Sequence, residues 1–333
     1  MLVGLLALPA PVKRFLAGRP VVRDGQVLDV ETQLVLRLQK VARERGAEEL
    51  PIAQGRAHVD AQCRVMAGHQ PIGAIEDRPL GAVRGRVYVP RALLGVAGHK
   101  ATLVFLHGGG YIYGGLDSHD AVCRVLAERA RVQVIAVDYR LAPEHPFPAA
   151  YDDCVAAYAW IVEHAEELGV DRDRLAVGGD SAGGNLAIGV AIEAARAGLP
   201  LAFQLLVYPT TDSVTRSASR KTFGEGFFLN GAFMDLATNS YLPHPDDRKD
   251  PRASPLYADL PAGLAPAQVV TAGFDPLRDE GEAFARALED AGVRVELRRE
   301  TGLIHSFMNW VGVGSTARAA VDAMADRLAA ALR

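Results

Sequence analysis

RLAVGGDSAGGNLAIGVAIEAARAG, residues 174–198, joins a short apolar run to a helical one through a turn of glycines around a single serine. RLAVGGD reads as a buried strand and NLAIGVAIEAARAG as a helix closed by Gly198. Between them Ser181 stands with glycines at 179 and 183, two positions to either side. Small residues there let strand and helix approach closely, which holds the serine hydroxyl exposed on a tight turn. The helix that follows aims its N-terminal amides and the positive end of its dipole at that hydroxyl, favouring an anion beside it. The plainer alternative is a helix N-cap serine in a Gly-rich turn. The strand–turn–helix context favours a nucleophile. A phosphate-binding turn is set aside, because the stretch has neither the Gly-Lys-Ser/Thr of a P-loop nor the GxGxxG register of a dinucleotide fold.

Outward from this turn, strands and helices alternate. RGRVYVP (84–90), ATLVFL (101–106) and VQVIAVD (132–138) precede it as strands; AFQLLVYP (202–209), AQVVTAG (267–273) and VRVELRR (293–299) follow. Helical stretches run from Tyr151 to about Leu168 and over TARAAVDAMADRLAAALR (316–333). Continuous apolar strands separated by helices predict an α/β fold, with a mostly parallel sheet covered on both faces. The first 75 residues read as helical. ETQLVLRLQKVARERG (31–46) sets Leu34, Leu38 and Val41 on one stripe, and no strand of comparable strength is expected before residue 80. Between Tyr208 and about Ser254 the alternation lapses into a loop and a segment carrying Phe223, Phe227, Phe228, Phe233 and Tyr241.

The chain has 333 residues, 49% hydrophobic and 23% charged, enough to bury a large core without staples. A net charge of -4 with mixed signs gives no field that would draw nucleic acid or anionic lipid. Cys63, Cys123 and Cys154 are odd in number and lack CxxC spacing, so they are expected as buried free thiols in a reducing cytoplasm. The apolar start MLVGLLALPAPVKRF lacks preceding positive charge and is not read as a leader; no apolar run approaches the ~20 residues of a membrane span.

A serine nucleophile needs amides for the oxyanion, a base, and a group to orient that base. LHGGGY (106–111) follows a predicted strand, and the expected donors are the amides of Gly108, Gly109 and Ala182, with His107 bracing the loop. Asp275 lies just past the strand AQVVTAG and is preferred as the orienting acid over Asp279, which sits in the first turn of the next helix. His305, in TGLIHSF, is the only histidine after that acid, so the order is Ser, Asp, His. The other eight histidines form no ligand-spaced cluster, so no metal is expected. Each of the four pieces follows a predicted strand, and the carboxyl ends of parallel strands face one crevice.

With these pieces placed, the sequence resembles the bacterial hormone-sensitive-lipase-like esterases, α/β-hydrolases that carry HGGG. HGGGYIYGG (107–115), DYRLAPEHPFPAAYDD (138–153), GGDSAGGNLA (178–187), YPTTD (208–212) and DPLRDEG (275–281) carry the resemblance, which spans residues 75 to 312. It implies an α/β-hydrolase fold of one domain, with an eight-stranded sheet whose second strand is antiparallel. A core of residues 75–211 and 246–333 would lie under a helical cap of residues 1–50 and 212–245, which would form the acyl and alcohol pockets. Asp180, Tyr111, Phe223 and Phe233 are the residues expected against substrate, and Glu144 is expected as a buried carboxylate anchoring its loop. The implied activity is hydrolysis of short to medium acyl esters, without cofactor, by a monomer or homodimer. A hydrolase scaffold turned to binding, as in the plant gibberellin receptors, would have lost His305. An amidase or lactonase would keep the same three residues.

Overall fold

The computed structural model describes residues 2–333, with side chains from residue 4. Its strands are β1 (Val22–Arg23), β2 (Gln26–Val27), β3 (Ala74–Leu80), β4 (Val83–Val89), β5 (Lys100–Leu106), β6 (Gln133–Asp138), β7 (Val170–Asp180), β8 (Phe203–Val207), β9 (Ala267–Phe274) and β10 (Val295–Ile304). The helices are α1 (Leu2–Leu6), α2 (Ala10–Ala17), α3 (Val30–Ala42), α4 (Ile52–Ala67), α5 (Asp120–Ala130), α6 (Ala149–Glu163), α7 (Ala165–Leu168), α8 (Ala182–Ala197), α9 (Ala218–Phe223), α10 (Gly231–Tyr241), α11 (Arg278–Asp290) and α12 (Ser315–Ala331).

Eight strands form one sheet in the order β10-β9-β8-β7-β5-β6-β4-β3. All neighbours from β10 to β6 run parallel, while β4 is antiparallel to both β6 and β3. The alternation of β5 shows how the sheet is covered. Leu103 and Phe105 join the apolar core containing α5 and α12, and Val104 and Leu106 join the opposite core containing α6, α8 and Phe284 of α11. Successive side chains thus enter two cores, which is why β5 is apolar throughout.

Two expectations about the N-terminal part fail. The sheet begins before residue 80, with β3, a strand whose residues Ala74, Glu76 and Asp77 are exposed. An edge strand needs no apolar run and tolerates Pro79, so AIEDRPL gives no strand signal. The stripe assigned to α3 is also displaced. Leu34 is buried, but Val41 is 74% exposed, and burial is confined to the first turns, Glu31 to Val35. Asp29 sets this helix by accepting the N–H groups of Glu31 and Thr32, 3.0 Å each. Among the described residues no helix is long and apolar enough to cross a membrane.

Candidate active site

β5 and β7 are neighbours, and the connection through β6 passes to the far side of β5, so chain direction across the sheet reverses there. Such a reversal opens a crevice beyond the strands' carboxyl ends. Ser181 follows β7 directly, with φ +56°, a strained value for a residue with a Cβ. Its amide donates to Val207 O at 2.9 Å, tying the turn to β8. The flanking glycines have a steric cause. A Cβ on Gly179 or Gly183 would overlap the carbonyl oxygen of Leu106, and each would also strike a second carbonyl.

His305 follows β10 and Asp275 follows β9. His305 Nε2 lies 2.9 Å from Ser181 Oγ, and His305 Nδ1 lies 2.7 Å from Asp275 Oδ2. Asp275 is fully buried, and its other oxygen accepts the Leu277 amide at 2.8 Å. That bond fixes the carboxylate plane toward the imidazole. The Tyr208 ring packs on His305 with centroids 4.6 Å apart. Asp279 is occupied elsewhere: it accepts the Ser219 amide at 2.7 Å and pairs with Arg278, holding α9 to the core.

The glycine loop departs from expectation at one amide. Gly108 N–H donates to Asp180 Oδ1 at 2.8 Å, so it is not free to meet a substrate oxygen. Among the described residues the amides of Gly109, Gly110 and Ala182 have no such partner, and both glycines line the cavity that contains Ser181. Asp180 therefore anchors the loop, and it also lines the cavity that contains Ser181. Burial alone would raise its carboxyl, but the His119 ring 3.2 Å away and the Gly108 amide bring it below the ordinary carboxylate value. His107 braces the same loop: Tyr139 Oη donates to its carbonyl at 2.6 Å and stacks on its ring at 4.2 Å. Burial, with His119 nearby, pushes the His107 imidazole down to about 3.

A cavity of about 500 Å³ leads from Ser181, Gly110 and His305 to exposed Lys40, Glu44 and Arg45. Its walls include Val59, Cys63 and Met66 of α4, with Phe228, Phe233 and Trp310. Helix α4 lies outside residues 1–50 and 212–245 of the expected cap, and Met1, the first of these, lies outside the described residues. A second cavity of about 50 Å³ also starts at Ser181 and Gly110 and runs under α10 to Tyr111, Met234 and Leu242.

The expected substrate residues thus divide. Phe233 lines both cavities, and Tyr111, stacked on Tyr241 at 3.8 Å, lines the smaller. Phe223 lines neither; it is buried against Phe227, Phe274 and the Arg278 guanidinium, as core. Glu144 is exposed rather than buried. It holds Arg56 of α4 through two bonds of 2.9 and 2.6 Å, while Arg56 also donates to the carbonyls of Ile112 and Ala142. Cys63 is half-buried in the cavity wall, and burial with Asp60 and Asp180 nearby pushes its thiol up to about 12. His119 was missed altogether, since nothing in the spacing of DSHD (117–120) points to a partner 61 residues away.

Residues 103–309 match a family model described as the α/β-hydrolase fold. The carboxylic ester hydrolase LipN of Mycobacterium tuberculosis is 44% identical over 98% of this chain and 89% of its own length. An ethyl acetate hydrolase of Pseudomonas putida is 47% identical over 62% of this chain and 66% of its own. Among solved structures, an ester hydrolase from the metagenome of Lake Arreo, complexed with a bipyridine phosphonate derivative, superposes with a TM-score of 0.86 at 43% identity. That match covers 91% of this chain and 98% of the other.

Proposed function

The chain belongs to the α/β-hydrolase fold family, in its hormone-sensitive-lipase-like branch, and is a carboxylic ester hydrolase; from that premise we propose that Ser181, His305 and Asp275 perform the hydrolysis through an acyl-enzyme. His305 Nε2 takes the Ser181 proton as Oγ attacks the ester carbonyl. The amides of Gly109, Gly110 and Ala182 hold the oxyanion, each contributing about 2.7–4 kcal/mol to the transition state. The alcohol leaves with the proton from His305, and water, activated by the same ring, releases the acid. Asp275 keeps the imidazole in the tautomer that presents a bare Nε2 to the serine. No step requires a cofactor.

One observation carries this reading: the continuous contact of Oγ, Nε2, Nδ1 and Oδ2 at 2.9 and 2.7 Å. The substrates are small esters of short to medium acids, held under a cap of α3, α4, α9 and α10. The enzyme works in the cytoplasm, consistent with three free cysteines among the described residues. It acts as a monomer or homodimer. Its β10 edge carries Arg298, Arg299 and Glu300, which discourage strand addition. The test is Ser181→Ala assayed on a chromogenic short-chain ester. We expect kcat to fall about 10⁶-fold with the melting temperature preserved. Residual activity above roughly a hundredth of wild type would exclude Ser181 as the nucleophile.

A further inference from the structure

Two cavities of unequal size meet at the nucleophile, and only one of them touches the base. Ser181, Gly110, Leu229 and Phe233 border both. His305 borders the 500 Å³ cavity and not the 50 Å³ one. From this we infer that the small cavity receives the acyl group and the large one the alcohol, so that the preferred substrates are short-chain acyl esters of bulky alcohols. The inference rests on the Ser181–His305 reading above.

The reasoning is stereochemical. In the tetrahedral intermediate the former carbonyl carbon carries four groups: Ser181 Oγ, the oxyanion, the acyl chain and the alkoxy group. The oxyanion faces the free amides. When the intermediate collapses, the C–O bond to the alkoxy group breaks and that oxygen takes the proton held on His305 Nε2. It must therefore lie within hydrogen-bond reach of the ring, and only the large cavity offers that position. The acyl chain is left with the remaining direction, under α10. A water-sized atom needs roughly 10–15 Å³ of such space, so about 50 Å³ holds a chain of a few carbons. Leu277, Tyr241 and Leu242, all buried, are among its lining residues. The large cavity is of the size that takes whole drug-like molecules, and it reaches solvent at Lys40 and Glu44.

The experiment is a two-way series followed by proton release. One arm lengthens the acid at constant alcohol: ethyl acetate, butanoate, hexanoate and octanoate. The other enlarges the alcohol at constant acid: ethyl, cyclohexyl and menthyl acetate. We expect kcat/KM to drop at least about tenfold between butanoate and hexanoate, while menthyl acetate is cleaved as well as ethyl acetate or better. Met234→Ala, which enlarges the small cavity, should restore hexanoate relative to acetate and leave the alcohol ranking alone. Val59→Trp, which narrows the large one, should depress menthyl acetate relative to ethyl acetate and leave the acyl ranking alone. Octanoate cleaved as well as acetate by wild type, or each variant acting on the other's series, would reverse the assignment. The wild-type matrix decides even if a variant fails to fold. Cleavage of none of these esters would instead remove the hydrolase reading beneath it, and the assignment with it.

Discussion

Ser181, Asp275 and His305 are each the first residue after a parallel strand, whereas many of the side chains that wall the cavity belong to helices α3, α4 and α10, outside the sheet. At the sheet edge, position is set by backbone: neighbouring strands, the Ser181 amide on Val207 and the Leu277 amide on Asp275. In the cap it is set by side chains reaching across. Arg56 meets Glu144, Asn230 donates to Glu48 at 2.5 Å, and Arg220 donates to buried Glu280 at 3.0 Å. The contrast separates two requirements. Bond-making needs atoms fixed to a few tenths of an ångström, while the binding cavity can be carried by contacts that are individually weak. Substitutions at the edge should therefore act on kcat, and substitutions in the cap on KM.

The largest effect after loss of the nucleophile is expected at Asp275. Asp275→Asn keeps the shape but offers an amide where a carboxylate accepted the imidazole N–H, so the wrong tautomer is favoured and kcat should fall about 10⁴-fold. Measured kcat and KM on one short-chain ester check it. A loss confined to KM would mean that Asp275 has no part in orienting the base.

Asp180 tests the next level, since it holds the oxyanion loop through Gly108. Asp180→Asn weakens the grip on the Gly108 amide and removes the charge facing His119. We expect kcat to drop ~10- to 100-fold, less than deletion of an oxyanion donor, with KM little changed. A fall in melting temperature with kcat intact would reduce Asp180 to a structural residue.

The same division explains what could be read without coordinates. Apolar β5 and β9 and the second half of β7 announce themselves because both faces are buried, and the residues after them inherit their placement from the strands. The glycines around Ser181 are legible because a steric clash between strand and helix demands them. Gly108, Gly109 and Gly110, by contrast, are identical as letters. Which amide is free depends on Asp180, 72 residues later in the chain. Phe223 and Phe233 are equally alike: one packs on Phe274 and the other faces the cavity, a difference made by how α9 and α10 dock. Val59, Cys63 and Met66 have ordinary helical spacing, which says that α4 has an apolar side but not that the side faces a void.

Arg56 is where the cap half of the contrast can be broken. Its guanidinium makes four hydrogen bonds, to Glu144, Ile112 O and Ala142 O, and so ties α4 to two core loops. The Glu144 partner is exposed, so charge attraction contributes little; geometry is what Arg56→Ala should remove. A several-fold rise in KM with kcat near wild type is expected. Arg56→Lys should not rescue it, because one ammonium cannot reproduce a planar fork. An unchanged KM in both variants would show that α4 is held well enough by its apolar contacts alone.

His107 gives the smallest effect and the only one read through pH. In the folded chain its imidazole is held down at about 3, against about 6.5 when unfolded. As pH falls below about 6.5 the unfolded chain takes a proton that the folded chain refuses, so this one site removes roughly 1.4 kcal/mol of stability per pH unit. The contribution is complete above 6.5 and lost on the way toward 3. Asn at this position can place its amide where Nδ1 now meets Gly108 O at 2.9 Å, while carrying no group that titrates in the range. His107→Asn should therefore melt with a shallower acid slope than wild type between pH 6.5 and 4.5, whatever its melting temperature at pH 7. Parallel slopes would mean that the ring does take its proton in the folded state. The loop bearing the oxyanion amides would then carry a positive charge in acid, and the division between a rigid edge and a loosely tied cap would no longer hold at low pH.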